Sequence, residues 1–287
     1  VGRSHACGIL GGRAVCWGDN RQSQLGGAGG NESAAASPVS GELGFSALSA
    51  GAFHTCGLSG TKVYCWGRGK EGQLGEASTS ERKRPVQVKG GNAYASVSAG
   101  GNHTCALTTA GKAWCWGDGF SGQLGFGGQD QQAEPIDVSG STIFSSITAG
   151  GKHTCAITNA GKAYCWGAND AGQLGDGSRS DRARPQAVSG EFSFTQISAG
   201  TNHTCALAGG EAYCWGENRN AQLGDGSKSD RNKPTAVSGG LSFASISAGD
   251  GFTCGVTRGG ESYCWGRNDK GQVDGTGEIR GLPTPIR

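Results

Sequence analysis

Short runs in which apolar residues alternate with serine, threonine or another polar residue recur along the chain at an almost constant interval. One run is YASVSAG, from Tyr94 to Gly100, and two cysteine-bearing runs, HTCALT and AWCWG, follow it on either side of a glycine turn. A period of two is typical of half-buried β-strands, and the chain shows no helical period. Each unit therefore predicts a first strand, a β-hairpin and, after a loop, a fourth run led by proline, such as PVQV at Pro85.

The hairpin is repeated six times, and its spacing indicates the architecture. By subtraction, the first cysteines lie 49, 49, 50, 50 and 49 residues apart; they are Cys7, Cys56, Cys105, Cys155, Cys205 and Cys254. A period in this range indicates a solenoid, an array or a propeller. Four short antiparallel strands in each of six units predict an all-β β-propeller, a single domain over residues 1–287. Proline cannot donate a ladder hydrogen bond, so the fourth run suits an outer edge strand.

The first unit is shorter than the others. Val1-Gly2 aligns with the Ala-Gly that ends the first strand elsewhere, so five first strands are present for six hairpins. We therefore expect the closing blade to be incomplete. The unpaired backbone of such a blade suits strand addition from a partner, including a second copy of the chain.

The twelve cysteines fall into six pairs, one in each hairpin. The pairs are Cys7 and Cys16, Cys56 and Cys65, Cys105 and Cys115, Cys155 and Cys165, Cys205 and Cys214, and Cys254 and Cys264. Antiparallel arms that place Cys105 opposite Cys115 also place Leu107 opposite Ala113, at roughly 4.5 to 5.5 Å between Cα atoms, which a disulfide bridges. Reduced, buried cysteines are the alternative. Six disulfides are the better interpretation, and they predict a secreted or cell-surface protein.

Composition and charge exclude several partners. Lys and Arg number 25 against 23 Asp and Glu, and this net charge of +2 does not indicate nucleic acid or an acidic membrane. No run reaches the apolar length of a transmembrane helix. Neither methionine nor a signal peptide stands at Val1, so we interpret the chain as a processed or excised segment.

The repeat AGGKHTCAITNAGKAYCWGANDAGQLGDG, from Ala149 to Gly177, resembles that of the regulator of chromosome condensation family. The resemblance covers the whole chain and implies a propeller. The best-known members have seven blades, and the cysteine pair is not general among the nuclear members. The motif G-W-R-H of an ultraviolet photoreceptor in this family reads GAFH, GGNH or GGKH here, so that function is not implied.

Two further residue types recur once per unit. The histidines are His5, His54, His103, His153 and His203, with Phe252 in the sixth unit. A metal-binding ring is one interpretation, but the strand pattern after each histidine favours packed, hydrogen-bonded core residues, and we predict neither metal nor cofactor. The tryptophans, which should lie between blades on the side opposite the disulfide, are Trp17, Trp66, Trp116, Trp166, Trp215 and Trp265. The QLG element, at Gln73 for example, indicates turn and packing machinery.

The loops after CWG and before the proline-led strand vary between units, as binding surfaces of repeat proteins do. The candidate binding residues are Phe120, Phe126, Arg82, Arg84, Arg179, Arg184, Lys228 and Lys233. Both phenylalanines are expected to be exposed, and the basic residues suit an anionic ligand. Alternatively, the arginine three residues before proline pairs with the adjacent acid, Glu81, Asp181 or Asp230. Asn31, in the longest loop, is the accessible N-glycosylation sequon.

No repeat holds a Ser-His-Asp set, a distinctive carboxylate pair or a phosphate-binding loop, so we do not expect an enzyme. The sequence favours an extracellular binding scaffold whose variable loops face a protein or a surface glycan. The resemblance implies two alternatives: a secreted inhibitor, as one bacterial member inhibits β-lactamase, and nucleotide exchange on the GTPase Ran, against which the cysteines argue. A subunit of an extracellular assembly joined by strand addition is a further alternative.

Overall fold

The computed structural model describes residues 1–27 and 29–286. Within them, 23 strands form six antiparallel sheets, and each sheet is one sequence repeat, or blade. Blade 1 contains β1 (His5–Leu10), β2 (Arg13–Asp19) and β3 (Glu32–Pro38). Blade 2 contains β4 (Ala47–Ala50), β5 (His54–Ser59), β6 (Lys62–Gly67) and β7 (Arg82–Gln87). Blade 3 contains β8 (Tyr94–Ala99), β9 (His103–Thr108), β10 (Ala113–Gly117) and β11 (Gln132–Asp137).

The remaining blades repeat this order. Blade 4 contains β12 (Ser146–Ala149), β13 (His153–Ile157), β14 (Ala163–Gly167) and β15 (Arg182–Ala187). Blade 5 contains β16 (Phe194–Ala199), β17 (His203–Ala208), β18 (Glu211–Gly216) and β19 (Arg231–Ala236). Blade 6 contains β20 (Phe243–Ala248), β21 (Phe252–Thr257), β22 (Ser262–Gly266) and β23 (Arg280–Pro285).

Consecutive strands are neighbours in every sheet, so each blade is a meander. We call β4, β8, β12, β16 and β20 the inner strands, because each begins its blade and pairs with the first hairpin strand. The predicted six-bladed propeller is confirmed, and blade 1 lacks an inner strand, as expected. None of the described residues forms a helix long and apolar enough to span a membrane.

The hairpins keep the register that their cysteines predict. Cys105 pairs with Cys115, and Leu107 pairs with Ala113. All six predicted disulfides are present, with Cα atoms 4.1 Å apart in five blades and 4.0 Å apart in blade 6. Glycine is required in the hairpin turn, where Gly111 has a φ of +77°.

The outer strands begin earlier than the sequence pattern indicates. In blade 2 the strand begins at Arg82, and Pro85 lies inside it rather than at its start. A β-bulge between Cys65 and Gly67 leaves the residues around Pro85 without a regular pairing partner. The proline is tolerated because it lies in the bulged part of an edge strand.

Successive blades pack face to face, with the disulfide side of one against the tryptophan side of the next. Between blades 2 and 3 the core contains Cys56, Leu58 and Leu74 together with Tyr94 and Trp116. Five of the six repeated tryptophans have no exposed surface: Trp66, Trp116, Trp166, Trp215 and Trp265. Full burial of a large apolar side chain contributes about 1.5 to 3 kcal/mol, so these layers stabilise the ring. The predicted position of the tryptophans is confirmed for these five.

The junction of blade 6 with blade 1 differs from the five others. Elsewhere a backbone N–H donates to a central glycine carbonyl of the next blade, as Ala52 N does to Gly100 O at 3.1 Å. Within the described residues, no such bond joins Asp250 to Gly2. Trp17, which would lie in this junction, is 38% exposed. The ordinary contact between blades is therefore absent here.

Candidate binding surface

Blades 1 to 5 are each joined to the following blade through the backbone carbonyl of a glutamine, which belongs to the QLG element of the repeat. The backbone carbonyl of Gln73, in blade 2, accepts hydrogen bonds from Thr104 Oγ1 and from Trp116 Nε1, both at 2.9 Å and both in blade 3. Gly75 lies under the same indole with a φ of +69°, and a Cβ on it would be 2.7 Å from Nε1. No larger residue fits there. The predicted turn and packing element is thus the joint between blades.

The histidines lie in the same joints. His54 is fully buried, and its Nε2 lies 2.8 Å from Thr104 Oγ1 of the next blade. Because this hydroxyl donates its own proton to Gln73 O, it accepts one from Nε2, and the imidazole is the neutral Nε2–H tautomer. The contact recurs for His5, His103, His153 and His203. These are the packed, hydrogen-bonded core residues that the sequence indicated.

The glutamine side chain fixes the loop above the joint. Gln73 Oε1 accepts the backbone N–H of Glu71 at 2.9 Å, and every repeat makes the equivalent bond. The residue before this N–H projects from the clamped loop into solvent. We call these six exposed residues the crown: Arg21, Lys70, Phe120, Asp170, Arg219 and Asp269. Five are charged and one is aromatic, so a common frame carries different chemistry in each blade.

The two predicted phenylalanines have different environments. Phe120 belongs to the crown and is 67% exposed. Phe126 packs against the core cluster that contains Leu124 and Val138, and it is only partly exposed. The expectation that Phe126 is exposed is therefore wrong, because the apolar side chain turns inward between blades 3 and 4.

A cation–π cluster adjoins the crown and was not predicted. The guanidinium carbon of Arg68 lies 5.4 Å from the ring centroid of Phe53, and that of Arg3 lies 6.0 Å from it. Arg68 also pairs with Glu71 at 2.6 Å. The sequence did contain an indication, since Phe53 stands where other repeats have Ser, Asn or Lys before the histidine.

The arginine three residues before proline pairs within its own loop, but not with the adjacent acid. Arg82 lies 2.6 Å from Glu76, and Arg182 lies 3.0 Å from Asp176. The adjacent acids have other partners, since Asp181 Oδ1 accepts the N–H of Asn169 at 2.8 Å and Glu81 accepts a hydrogen bond from Ser23 of blade 1. The predicted pairing with Glu81, Asp181 or Asp230 is wrong for this reason.

These loops are also held by buried hydrogen bonds. Asn169 Nδ2 donates to Asp176, to Ser178 Oγ and to the carbonyl of Ser180 at 3.1 to 3.3 Å. Burial opposes ionisation of Asp176, but the hydrogen bonds from Ser178 and Arg182 outweigh it and hold the pKa of this carboxyl below its usual value. The polar groups of this loop therefore satisfy one another's hydrogen bonds. Among the described residues, no group of three or more His, Cys, Asp or Glu is placed to hold a metal.

The other predicted basic residues do not form one continuous patch. Arg179 Nη1 donates to the carbonyl of Asp170 at 2.9 Å and lies 3.6 Å from Asp230 of blade 5. Arg184 and Lys233 are exposed on their outer strands, beside the preceding blade's loop; Cβ atoms placed on Gly127 and Gly177 would meet these side chains. Lys228 is exposed within its own loop. Arg179, Arg184 and Lys233 therefore lie against a neighbouring blade as well as offering charge.

Arg84 lies in a different setting, a cleft between blades 1 and 2. The cleft has a volume of about 430 Å³ and is lined by polar side chains, among them Arg21, Asn31, Glu81, Lys83 and Arg84. Ser23 donates a hydrogen bond to Glu81 across it. Asn31, the predicted glycosylation site, is exposed at its rim. The cleft thus joins crown residue Arg21 to the basic run of β7.

Comparison with known proteins agrees with this architecture. No curated protein matches the chain in sequence. The chain superimposes over its full length on 80% of human WBSCR16, with a TM-score of 0.88 and 23% identity. It also covers 74% of yeast RCC1 (Prp20), in the structure with Kap60, with a TM-score of 0.86 and 22% identity. The CRINKLY WD40 ectodomain of the Arabidopsis thaliana receptor kinase ACR4 is less similar, with a TM-score of 0.62 and 22% identity.

Six blades of one repeat, joined through the QLG glutamine, define a β-propeller of the kind built by regulator of chromosome condensation repeats. The model of the RCC1-like domain matches residues 1–287. The chain therefore belongs to the RCC1-like domain family, and the resemblance of the repeats is confirmed.

Proposed function

We propose that this propeller is a non-catalytic, extracellular binding scaffold and that its crown is the face that binds a protein or a surface glycan. The observation that supports the proposal is that each loop has one residue that fixes its backbone and another that is exposed and varies. A buried glutamine fixes the backbone, while the neighbouring crown position is exposed and differs from blade to blade. Binding to a preordered surface avoids the entropy cost of ordering loops.

The crown offers one aromatic anchor among charges. Phe120 is exposed, and Arg21 and Lys70 lie on the side of blades 1 and 2, where the polar cleft and the Phe53 cluster are also found. Aromatic residues and arginine contribute most of the energy at protein interfaces, and aromatic faces also stack on sugars. The disulfides support a location outside the cell, because such bonds persist in oxidising compartments.

A labelled propeller applied to intact cells tests the proposal. Phe120→Ser and Lys70→Glu should each weaken binding at least tenfold while the melting temperature stays unchanged. Leu10→Ser is the matched control, because Leu10 is 73% exposed at a hairpin turn away from the crown. Pretreating the cells with protease or with glycosidase distinguishes a protein from a glycan partner. Equal losses for Leu10→Ser and Phe120→Ser would refute the assignment of the crown.

Nucleotide exchange is the alternative with a direct assay. A structure of Prp20p from Saccharomyces cerevisiae, with a TM-score of 0.86 and 23% identity, is described together with its binding properties to Gsp1p and histones. At this identity the likeness supports the fold and not the partner. We expect no acceleration of labelled GDP release from a Ran-type GTPase, and acceleration would favour the exchange function over an extracellular one.

A further inference from the structure

The joint between blades 2 and 3 departs from the repeat at several positions that lie together, at the end where the hairpins turn. Trp114, the one tryptophan outside the CWG motif, stands in β10 where four other blades have tyrosine. Its partner on the outer strand is Asp137, whereas the same register gives Gln, Ala, Ser-flanked Pro or Pro in the other blades. Binding sites in repeat proteins are built from the positions that vary between units.

The segment that connects β7 to β8 leaves the indole of Trp114 uncovered. In three other joints an apolar residue of this connector packs in the same cluster as the hairpin aromatic: Leu43 with Tyr64, Phe192 with Tyr213, and Leu241 with Tyr263. Between blades 3 and 4 the residue is Thr142, but there Lys162 Nζ lies 5.5 Å from the ring centroid of Tyr164. The connector between blades 2 and 3 has Asn92. Within the described residues Trp114 has neither kind of cover.

This connector is nevertheless held in place. Asn92 Nδ2 donates to the hydroxyl of Tyr94 at 3.3 Å, and Tyr94 replaces the phenylalanine that leads the four other inner strands. Lys62 Nζ donates to the carbonyls of Gly91 and Asn92 at 3.2 and 3.4 Å. The Oδ1 atom of Asn92 accepts no hydrogen bond among the described residues and is not buried. It is therefore a fixed acceptor, and a ligand does not have to order it.

Polar groups surround the indole. Directly opposed residues on antiparallel strands have Cβ atoms roughly 4.5 to 5.5 Å apart, so the exposed Asp137 lies beside Trp114. Lys112, two residues before Trp114, lies on the same face of the strand, and it borders a shallow groove together with Asp137. Trp114 is half-buried, and its Nε1–H has no acceptor among the described residues. Donors and acceptors thus lie around one accessible ring.

We propose that the hairpin end of this joint is a subsite for one neutral hexose ring of a glycan. The C–H face of the sugar stacks on the indole of Trp114, whose π face attracts the weakly positive hydrogens. The sugar hydroxyls donate to Asp137 and to Asn92 Oδ1, and they accept from Trp114 Nε1 and from Lys112. The exposed Lys89 and Lys112 oppose a cationic ligand, and Asp137 opposes an anionic one.

This subsite is separate from the crown. Lys112 directly precedes β10 (Ala113–Gly117), whereas the crown residue Phe120 follows its end, so the two sites lie at opposite ends of one strand. The proposal therefore does not rest on the function proposed for the crown, and either can fail without the other.

The probes are the methyl glycosides of glucose, galactose, mannose and N-acetylglucosamine, titrated into the full chain and followed by the indole N–H resonance of Trp114. At least one should shift this resonance and saturate with a dissociation constant of about 1 mM, as expected for a single sugar ring. Choline and glucuronate should bind at least tenfold more weakly than that sugar. No shift with any of the four glycosides overturns the proposal, and tighter binding of choline or glucuronate overturns the choice of a neutral ligand.

Variants that restore the ordinary repeat make the test specific and preserve the fold. Asp137→Ala introduces the residue of blade 4 and should weaken binding at least tenfold. The double variant Asn92→Leu/Tyr94→Phe introduces the residues of blade 6, covers the indole and should abolish binding. Gln87→Ala, at the position of blade 2 equivalent to Asp137, is the matched control and should bind normally, as should Phe120→Ser. Unchanged affinity in Asp137→Ala or in the double variant overturns the proposal.

Discussion

Acid should destabilise this propeller at a pH well above that at which most folded proteins unfold. Burial lowers the pKa of His54, His103 and His153 to about 3 and that of His5 and His203 to about 4. Each ring donates its Nε2–H to a threonine hydroxyl, while its Nδ1 is buried and has no hydrogen-bond partner among the described residues. Protonation of Nδ1 would place a charge in the interior, where no partner compensates for its lost hydration.

The direction of the change in stability with pH depends on whether the folded or the unfolded chain binds protons first. The unfolded chain protonates its histidines near pH 6.5, but the folded chain does not do so until pH 4 or 3. The stability that these residues supply is complete above pH 6.5 and is lost as the pH falls through this window. At pH 5 the loss is about 2 kcal/mol for each histidine, or about 10 kcal/mol for five. A loss of this size is comparable to the whole stability of an ordinary domain, about 5 to 15 kcal/mol.

Denaturant unfolding between pH 8 and pH 5 measures the effect. The free energy of unfolding should fall with a limiting slope of about 1.4 kcal/mol per pH unit for each histidine. His103→Phe, which copies the natural Phe252, should reduce the total loss at pH 5 by about 2 kcal/mol. Lys152→Gln is the control, because this exposed residue next to His153 should leave the slope unchanged. Equal losses of stability between pH 8 and pH 5 in His103→Phe and in the unmodified protein would refute the role assigned to the histidines.

Three further perturbations test the disulfides and the joints between blades. Replacing Cys105 and Cys115 with alanine should cost about 3 kcal/mol in denaturant unfolding, from the loop entropy of the unfolded chain, and an unchanged midpoint would contradict this. Gly75→Ala should lower the free energy of unfolding by more than about 1 to 3 kcal/mol, because its positive φ and the adjacent indole of Trp116 both oppose a side chain. Gly91→Ala is the control for φ alone, because Gly91 has a φ of +70° and no atom lies within 4 Å of the added Cβ. Gln73→Ala should cost about 1 to 3 kcal/mol and speed exchange of the crown-loop amides, and slow exchange in that variant would exclude the glutamine as the clamp.

Sequence periodicity was sufficient for the fold. The spacing of the cysteines predicted six hairpins, their register and the disulfides, because a hairpin is a local structure whose partners are about ten residues apart. The same pattern located Trp116 on the face opposite Cys115. It also revealed that one unit lacks a first strand.

The sequence also carries signals that the junction between blades 6 and 1 differs from the others. Phe252 replaces the histidine, Ala6 replaces the threonine that would face it, and Asp274 replaces the glycine that would lie under Trp17. Each loss concerns a residue that acts only across the joint between blades. The structure explains these three replacements, because Gln73, Thr104 and Gly75 show what the usual residues do in the other joints.

The sequence by itself determined the strands, the hairpin register and the repeat, because these depend on side-chain alternation and contacts within one unit. Tertiary structure alone decided which acid pairs with Arg182 and that Phe126 turns inward while Phe120 projects. Such choices depend on the neighbouring blade about fifty residues away, where packing and hydrogen bonding select among side-chain positions that the local pattern leaves equally acceptable.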